Sequence, residues 1–174
     1  MDNGRLVRQP REEAEFRLEP STIFATDDPL TWRIAVSLNI YLTFDGNCRE
    51  AFDFYRSVFG GDFQAFATFA EGPDDMPVAE EDKHNVMHVS LPVGDSVLMG
   101  SDNSPFGPPV SVGNNFSISI VGQSREHCDE VFSKLSAGGS VTMALQETFW
   151  GSYYGMWTDR FGINWMVNYP LAAD

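Results

Sequence analysis

The sequence predicts an α+β fold in which two copies of a β-α-β-β-β module pack as one domain, and three observations predict it. Segments that alternate apolar and polar residues surround two stretches carrying an apolar stripe at helical spacing. The second stretch repeats the first 77 positions later. Apolar residues make up 43% of the 174 and aromatic residues 13%, ample for burying a shared core.

Residues 1–35 come first and fit neither module. They hold five Arg, seven Asp or Glu and prolines at 10, 20 and 29, with no sustained period, and read as a mobile or loosely docked extension. The domain runs over 36–172, with modules at 36–104 and 112–170. VSLNIYLTF alternates as a strand. NCREAFDFYRSVFGG starts at an Asn cap, places apolar residues at 51, 54, 55 and 58, and stops at Gly60-Gly61. GDFQAFATF alternates again. After the acidic loop EGPDDMPVAEEDK, NVMHVSLPV passes through Gly94-Asp95 into SVLMGS, a hairpin signal. In the second module Asn47 becomes Ser124, and Ala51, Phe54, Tyr55 and Val58 become Cys128, Val131, Phe132 and Leu135. NFSISIVG precedes that helix; SVTMALQETFW, YYGMWTD and INWMVNY follow it. Neither module alone buries both sheet faces, so the two are expected to pack as one domain, each sheet covered on one side by a helix.

Alternation assigns the faces. The helix side takes Ile40/Leu42/Phe44, Phe63/Ala65/Ala67/Phe69, Met87/Val89/Leu91/Val93, Phe116/Ile118/Ile120, Val141/Met143/Leu145 and Ile163/Trp165/Val167. The opposite phase carries Asn39, Tyr41, His88, Ser90, Asn115, Ser117, Gln146, Asn164, Met166 and Asn168. That face is neutral, hydrogen-bonding and dotted with aromatic and Met side chains.

Composition narrows the partners. A net charge of −14 repels phosphate backbones and anionic lipid surfaces, so neither nucleic acid nor membrane is an expected partner. Apolar runs such as SVLMG and WMV fall far short of the roughly 20 residues of a membrane span. The first residues contain no apolar stretch of secretory type, and the default location is the cytoplasm. Cys48 and Cys128 form no CxxC or Cys/His spacing and read as reduced structural thiols. Cys48 starts a helix, where the dipole would favour its thiolate.

The duplicated module resembles the vicinal oxygen chelate superfamily of glyoxalase I, bleomycin-resistance proteins and extradiol dioxygenases. YLTFDGNCREAFDFY, MHVSL, GDSVLMGSD, FWG and DRFGINWM together resemble its PhnB-like branch over residues 38–170. The resemblance implies curved mixed sheets around a cup, helices outside, a small-molecule ligand on the polar concave face and a homodimer. The methyltransferase label sometimes given to that branch does not fit the βα junctions, FDGN and VGQS, which carry no glycine-rich cofactor turn.

In metal-dependent relatives four side chains converge in the cup. Carried over, those positions fall on Asn39 (or Ile40), Gly100 (or Leu98), Asn115 and Met166. Two amides, a glycine and a thioether offer neither the charge nor the basicity that a divalent first-row metal needs. No cofactor is therefore expected, and Met166 reads as an adaptable apolar ligand contact in a vacated position. His88 is the one histidine on an inferred cup strand and suits general acid–base work, although a lone strand histidine is also what a hydrogen-bonded structural residue looks like. Asn39, Tyr41, Asn115, Ser117, Trp150 and Met166 are the candidate ligand contacts, with Trp150 on a loop at the cup mouth. Glu147 falls on the core phase. Asp159 reads as capping the DRFG turn, with Gly162 at positive φ.

These residues point to a metal-free binding protein for a small aromatic or amphipathic molecule. Two alternatives stay open: a metal-dependent glyoxalase- or dioxygenase-type lyase, isomerase or oxidoreductase, and a metal-free enzyme using His88 as general base.

Overall fold

The computed structural model describes residues 37–73, 75–104 and 106–171; the extension read over 1–35 lies outside the described residues. The first module consists of β1 (Ile40–Phe44), α1 (Cys48–Phe59), β2 (Ala65–Thr68), β3 (Val86–Val93) and β4 (Ser96–Asp102). The second consists of β5 (Ile118–Val121), α2 (Arg125–Leu135), β6 (Ser140–Glu147), β7 (Ser152–Thr158) and β8 (Asn164–Pro170). Two four-stranded sheets result, ordered β1-β4-β3-β2 and β5-β8-β7-β6. In each, the module's first and last strands pair in parallel and the other neighbours run antiparallel. Identical topology in the two halves is what the repeat predicts.

The stripes bury as amphipathic helices should. Cys48, Ala51, Phe52 and Tyr55 are the buried residues of α1, and Cys128, Val131 and Leu135 those of α2. Helix α1 reaches both sheets. Its Phe52 lies under β4, and its Tyr55 ring packs edge-on against Trp165 of β8 at 5.5 Å. On the other helix Phe132 meets Trp157 of β7 at 5.1 Å. Each such buried ring contributes roughly 2–3 kcal/mol from apolar area alone.

Two buried carboxylates tie the elements together. Asp102, 3% exposed at the end of β4, accepts the backbone N–H of Cys48 at 2.9 Å and of Val86 at 2.7 Å. It therefore caps α1 from outside the local sequence. Asn47, expected to do so, makes no side-chain cap bond, whereas Ser124 accepts from His127 N as expected. Asp159 is likewise 3% exposed. Its Oδ1 takes Phe161 N and Ile163 N, the expected turn cap, and its Oδ2 takes Tyr55 Oη–H and Trp165 Nε1–H, both at 2.8 Å.

Burial, and then the Asp159 carboxylate beside it, pushes the Tyr55 phenol far up; burial and Asp102 do the same to the Cys48 thiol. Below their unfolded values, about 8.5 for Cys and 10 for Tyr, both groups are neutral in either state. Above those values only the unfolded chain ionises, so stability falls as pH rises. Urea melts between about pH 8 and 11 should show that decline, and Tyr55→Phe should make it shallower above about pH 10.

Pairing corrects the face assignment at four places. Phe66 sits opposite Val89, so β2 turns Phe66 toward the core and Ala65 and Ala67 to the open side, the reverse of the expected phase. An irregularity beside Thr68 skips Met87, and Val86 takes the fully buried place expected for it. Gly100 sits opposite core-facing Leu42, so it faces α1 and not the cup. In β6 a bulge between Val141 and Met143 moves Met143 off the core side. Phe116, expected on the helix side of its strand, precedes β5 and is 52% exposed.

Candidate functional site

The faces turned away from the helices are the candidate site. On the first sheet Tyr41, Met99 and Ser90 stand side by side across β1, β4 and β3, with Thr43, Ser101 and His88 in the next row. Tyr41 is 49% exposed, and its ring stacks on His88 with centroids 5.8 Å apart. Its hydroxyl lies 3.3 Å from His88 Nδ1, and the imidazole tautomer decides which of the two donates. Asn39 is less free than expected, because its Oδ1 accepts the N–H of Val97 at 3.1 Å and extends the ladder beyond β1.

On the second sheet the open face is built in rows. Met166 of β8, Met156 of β7 and Met143 of β6 are consecutive cross-strand partners, with Ser119 of β5 at the end. Asn168, Tyr154 and Gln146 form the row on one side, and Asn164 and Thr158 part of the row on the other. Thr158 donates to Asn164 Oδ1 at 2.8 Å, and Tyr154 donates to the Met166 sulfur at 3.5 Å. From the β6–β7 turn, where Gly151 at φ 81° makes the reversal, Trp150 packs edge-on to Tyr154 at 5.7 Å. Phe149 stands beside it, 98% exposed. An aromatic path thus leads from the turn to the methionine row. Ser117 is half-buried just before β5, and Asn115 lies exposed in the preceding bend, outside the strand.

Strand pairing revises the four inherited positions. Gly100 pairs with core-facing Leu42, so on β4 the open-face residue beside it is Met99, opposite Tyr41, just as on β8 it is Met166, opposite Ser119. Asn39 and Ser117 lie two residues before Tyr41 and Ser119, on the same phase. The cup-side set is then Asn39, Met99, Ser117 and Met166, in which a thioether replaces the glycine. The donors still do not fit a hard divalent ion. Among the described residues no three His, Cys, Asp or Glu side chains are grouped to hold a metal. Glu147 faces Tyr153 on the helix side and pairs with Arg125, both largely exposed.

Two grooves are also present among the described residues. One of about 660 Å³ is lined by Asp45, Glu81, Asp82, His84 and Asn103, the other of about 630 Å³ by Ile40, Phe59, Leu98, Ile120, Val131 and Trp165 among others. Neither is lined by Tyr41, His88, Met99 or Met166.

The family described as 3-demethylubiquinone-9 3-methyltransferase matches residues 36–168 of the chain. Protein YjdN of Escherichia coli (strain K12) is 32% identical over 139 residues, covering 75% of this chain and 93% of that protein. Among solved structures, protein PA1353 from Pseudomonas aeruginosa is 43% identical with a TM-score of 0.70, over 78% of this chain and 100% of that one. Two more distant structures share the fold. The PhnB protein from Bacillus cereus has a TM-score of 0.64 at 21% identity, over 77% of this chain and 99% of that one. The fosfomycin resistance protein FosX from Listeria monocytogenes has 0.54 at 10% identity, over 76% and 91%.

Proposed function

The chain belongs to the family described as 3-demethylubiquinone-9 3-methyltransferase, the PhnB-like branch of the vicinal oxygen chelate superfamily, and from that membership we propose that it is a small-molecule-binding protein working without a catalytic divalent metal. Its ligand is a small aromatic or amphipathic molecule. The observation that carries this reading is the makeup of the second open face: a thioether row flanked by hydrogen-bonding rows, with Trp150 and Tyr154 at one end. A flat ring lying on the thioethers gains dispersion and sulfur–aromatic contact, and the flanking amides and hydroxyls read its polar edges. The family's methyltransferase description asks for a cofactor pocket of a kind that neither βα turn supplies, at Asp45–Asn47 or at Gly122–Ser124.

A homodimer belongs to the same proposal. Tyr41 and Trp150 stay about half exposed in the single chain, and a second copy laid over these faces would enclose the ligand. Light scattering giving a monomer at all concentrations would remove that part.

Thermal-shift titration with a panel of cationic and aromatic compounds tests the ligand. A saturable rise in Tm is expected for the full chain, weakened about tenfold by Trp150→Ala, the scale of a lost aromatic stacking contact. A flat response across the panel would sink the reading. So would stoichiometric Zn, Mn, Ni or Fe retained by untagged protein.

The Tyr41–His88 contact favours a second reading, a metal-free enzyme with His88 as general base. In that case His88→Gln abolishes turnover of the identified ligand while the melting curve is unchanged.

A further inference from the structure

We propose that the row Met143, Met156 and Met166 is a binding site for a soft monovalent cation of the copper(I) class. The site uses the same thioether row on which the organic ligand proposed above would lie, but the argument for it does not rest on that ligand. Three observations converge on it. Met143 pairs with Met156 and Met156 with Met166, so three thioethers occupy adjacent strands at one level of the sheet. The bulge between Val141 and Met143 puts the third one there. Without it, Met143 would share the helix side with Val141, and bulges are a recurrent means of re-aiming a side chain at a site. Finally, all three side chains are half-buried, and the packed periphery of the core is made of other residues, from Ile40 to Tyr169. They are not simply filling the interior.

The chemistry of the donors selects the ion. Thioether sulfur is neutral, polarisable and weakly basic, and it favours copper(I) over hard or borderline divalent ions. It needs no deprotonation, so binding should be nearly independent of pH near neutrality. Cross-strand neighbours hold their Cβ atoms about 4.5–5.5 Å apart. Met143 and Met166, two strands apart, start about twice that far from each other, and three rotatable bonds on each methionine let their sulfurs turn inward toward an ion above Met156. The Met166 sulfur already turns toward β7, where it accepts the Tyr154 hydroxyl at 3.5 Å; that hydrogen bond would give way to the metal. The chain's charge of −14 draws cations toward the protein without choosing among them.

Silver(I), which resembles copper(I) and does not change oxidation state, is the probe. Full-length protein labelled with ¹³C at the methionine methyl groups is titrated with silver nitrate and followed by NMR. One equivalent should shift the methyls of Met143, Met156 and Met166 together and leave those of Met76 and Met87 in place. Replacing all three by leucine keeps the apolar volume and should remove that equivalent, and each single Met→Leu should weaken binding about tenfold. Silver that shifts none of the three methyls, or that binds the triple variant as tightly as the wild type, would overturn the proposal. The methyl shifts of the wild-type protein decide the question even if the triple variant folds poorly. Because no organic molecule is present, the outcome is separate from that of the thermal-shift panel.

Discussion

Replacing Asp159 by alanine should lower the unfolding free energy by about 4 kcal/mol. The carboxylate, 3% exposed, accepts from four donors at 2.8–3.0 Å: two backbone N–H groups of its own turn, the Tyr55 hydroxyl from α1 of the first module and the Trp165 indole from β8 of the second. Removing it strands the buried Tyr55 hydroxyl and Trp165 indole N–H and frees the half-buried turn amides, and each buried unsatisfied donor costs about 1–3 kcal/mol. The turn, the helix and the tryptophan also lose their common anchor. Tyr55→Phe removes one donor along with its bond and should cost only about 1–2 kcal/mol. Because the two residues share a contact, a double-mutant cycle should show coupling of about 1 kcal/mol or more. Urea denaturation of the four proteins measures all of this; an Asp159→Ala chain as stable as the wild type would show that the modules do not depend on this junction.

Gly100→Val should destabilise by about 3 kcal/mol, although valine is a good strand residue. A Cβ at position 100 would lie 2.6 Å from Phe52 Cε2 and 2.9 Å from the Leu42 carbonyl oxygen. Phe52 is fully buried and ringed by Phe44, Tyr55 and Phe63, so it has no empty space to move into. The same substitution on the open side of β4 would be nearly neutral. A denaturation midpoint unchanged by Gly100→Val would therefore mean that residue 100 faces the cup after all, and the strand parity would revert to that expected from sequence.

That glycine marks the boundary of what sequence can read here. Side-chain alternation in β4 gives Gly100 no face of its own, since it has no side chain to be apolar or polar. Only its pairing with Leu42 on β1 decides the matter. Met143 is the same case by another route: the local pattern Val-x-Met-x-Leu is a regular strand signal, and the bulge that breaks it appears only when β6 is laid against β7. Asp102 is simply the last residue of the segment SVLMGSD. Its capping of α1, 54 residues away in sequence, required the fold.

The candidate site divides in the same way. Met166 was legible because the strand around it alternates cleanly, with Trp165 and Val167 marking the buried phase. Its neighbours Met143, Met156 and Tyr154 carry no local signal of a site, since each is an ordinary strand residue until the sheet sets it beside another.

From residues alone come the duplication, the βαβββ order of each module, the two helices with most of their buried stripe, and the poverty of hard metal donors at the inherited positions. All of these rest on short-range regularities, the periods of 2 and 3.6 and a repeat of one module length, which a chain carries wherever it is placed. Tertiary structure alone decided which side of β2, Gly100 and Met143 faces the helices, which buried carboxylate caps α1 and which joins the modules, and that three thioethers share one level of a sheet. Each of those depends on register between strands distant in sequence, and register is set by hydrogen bonds and packing between partners that no single segment encodes.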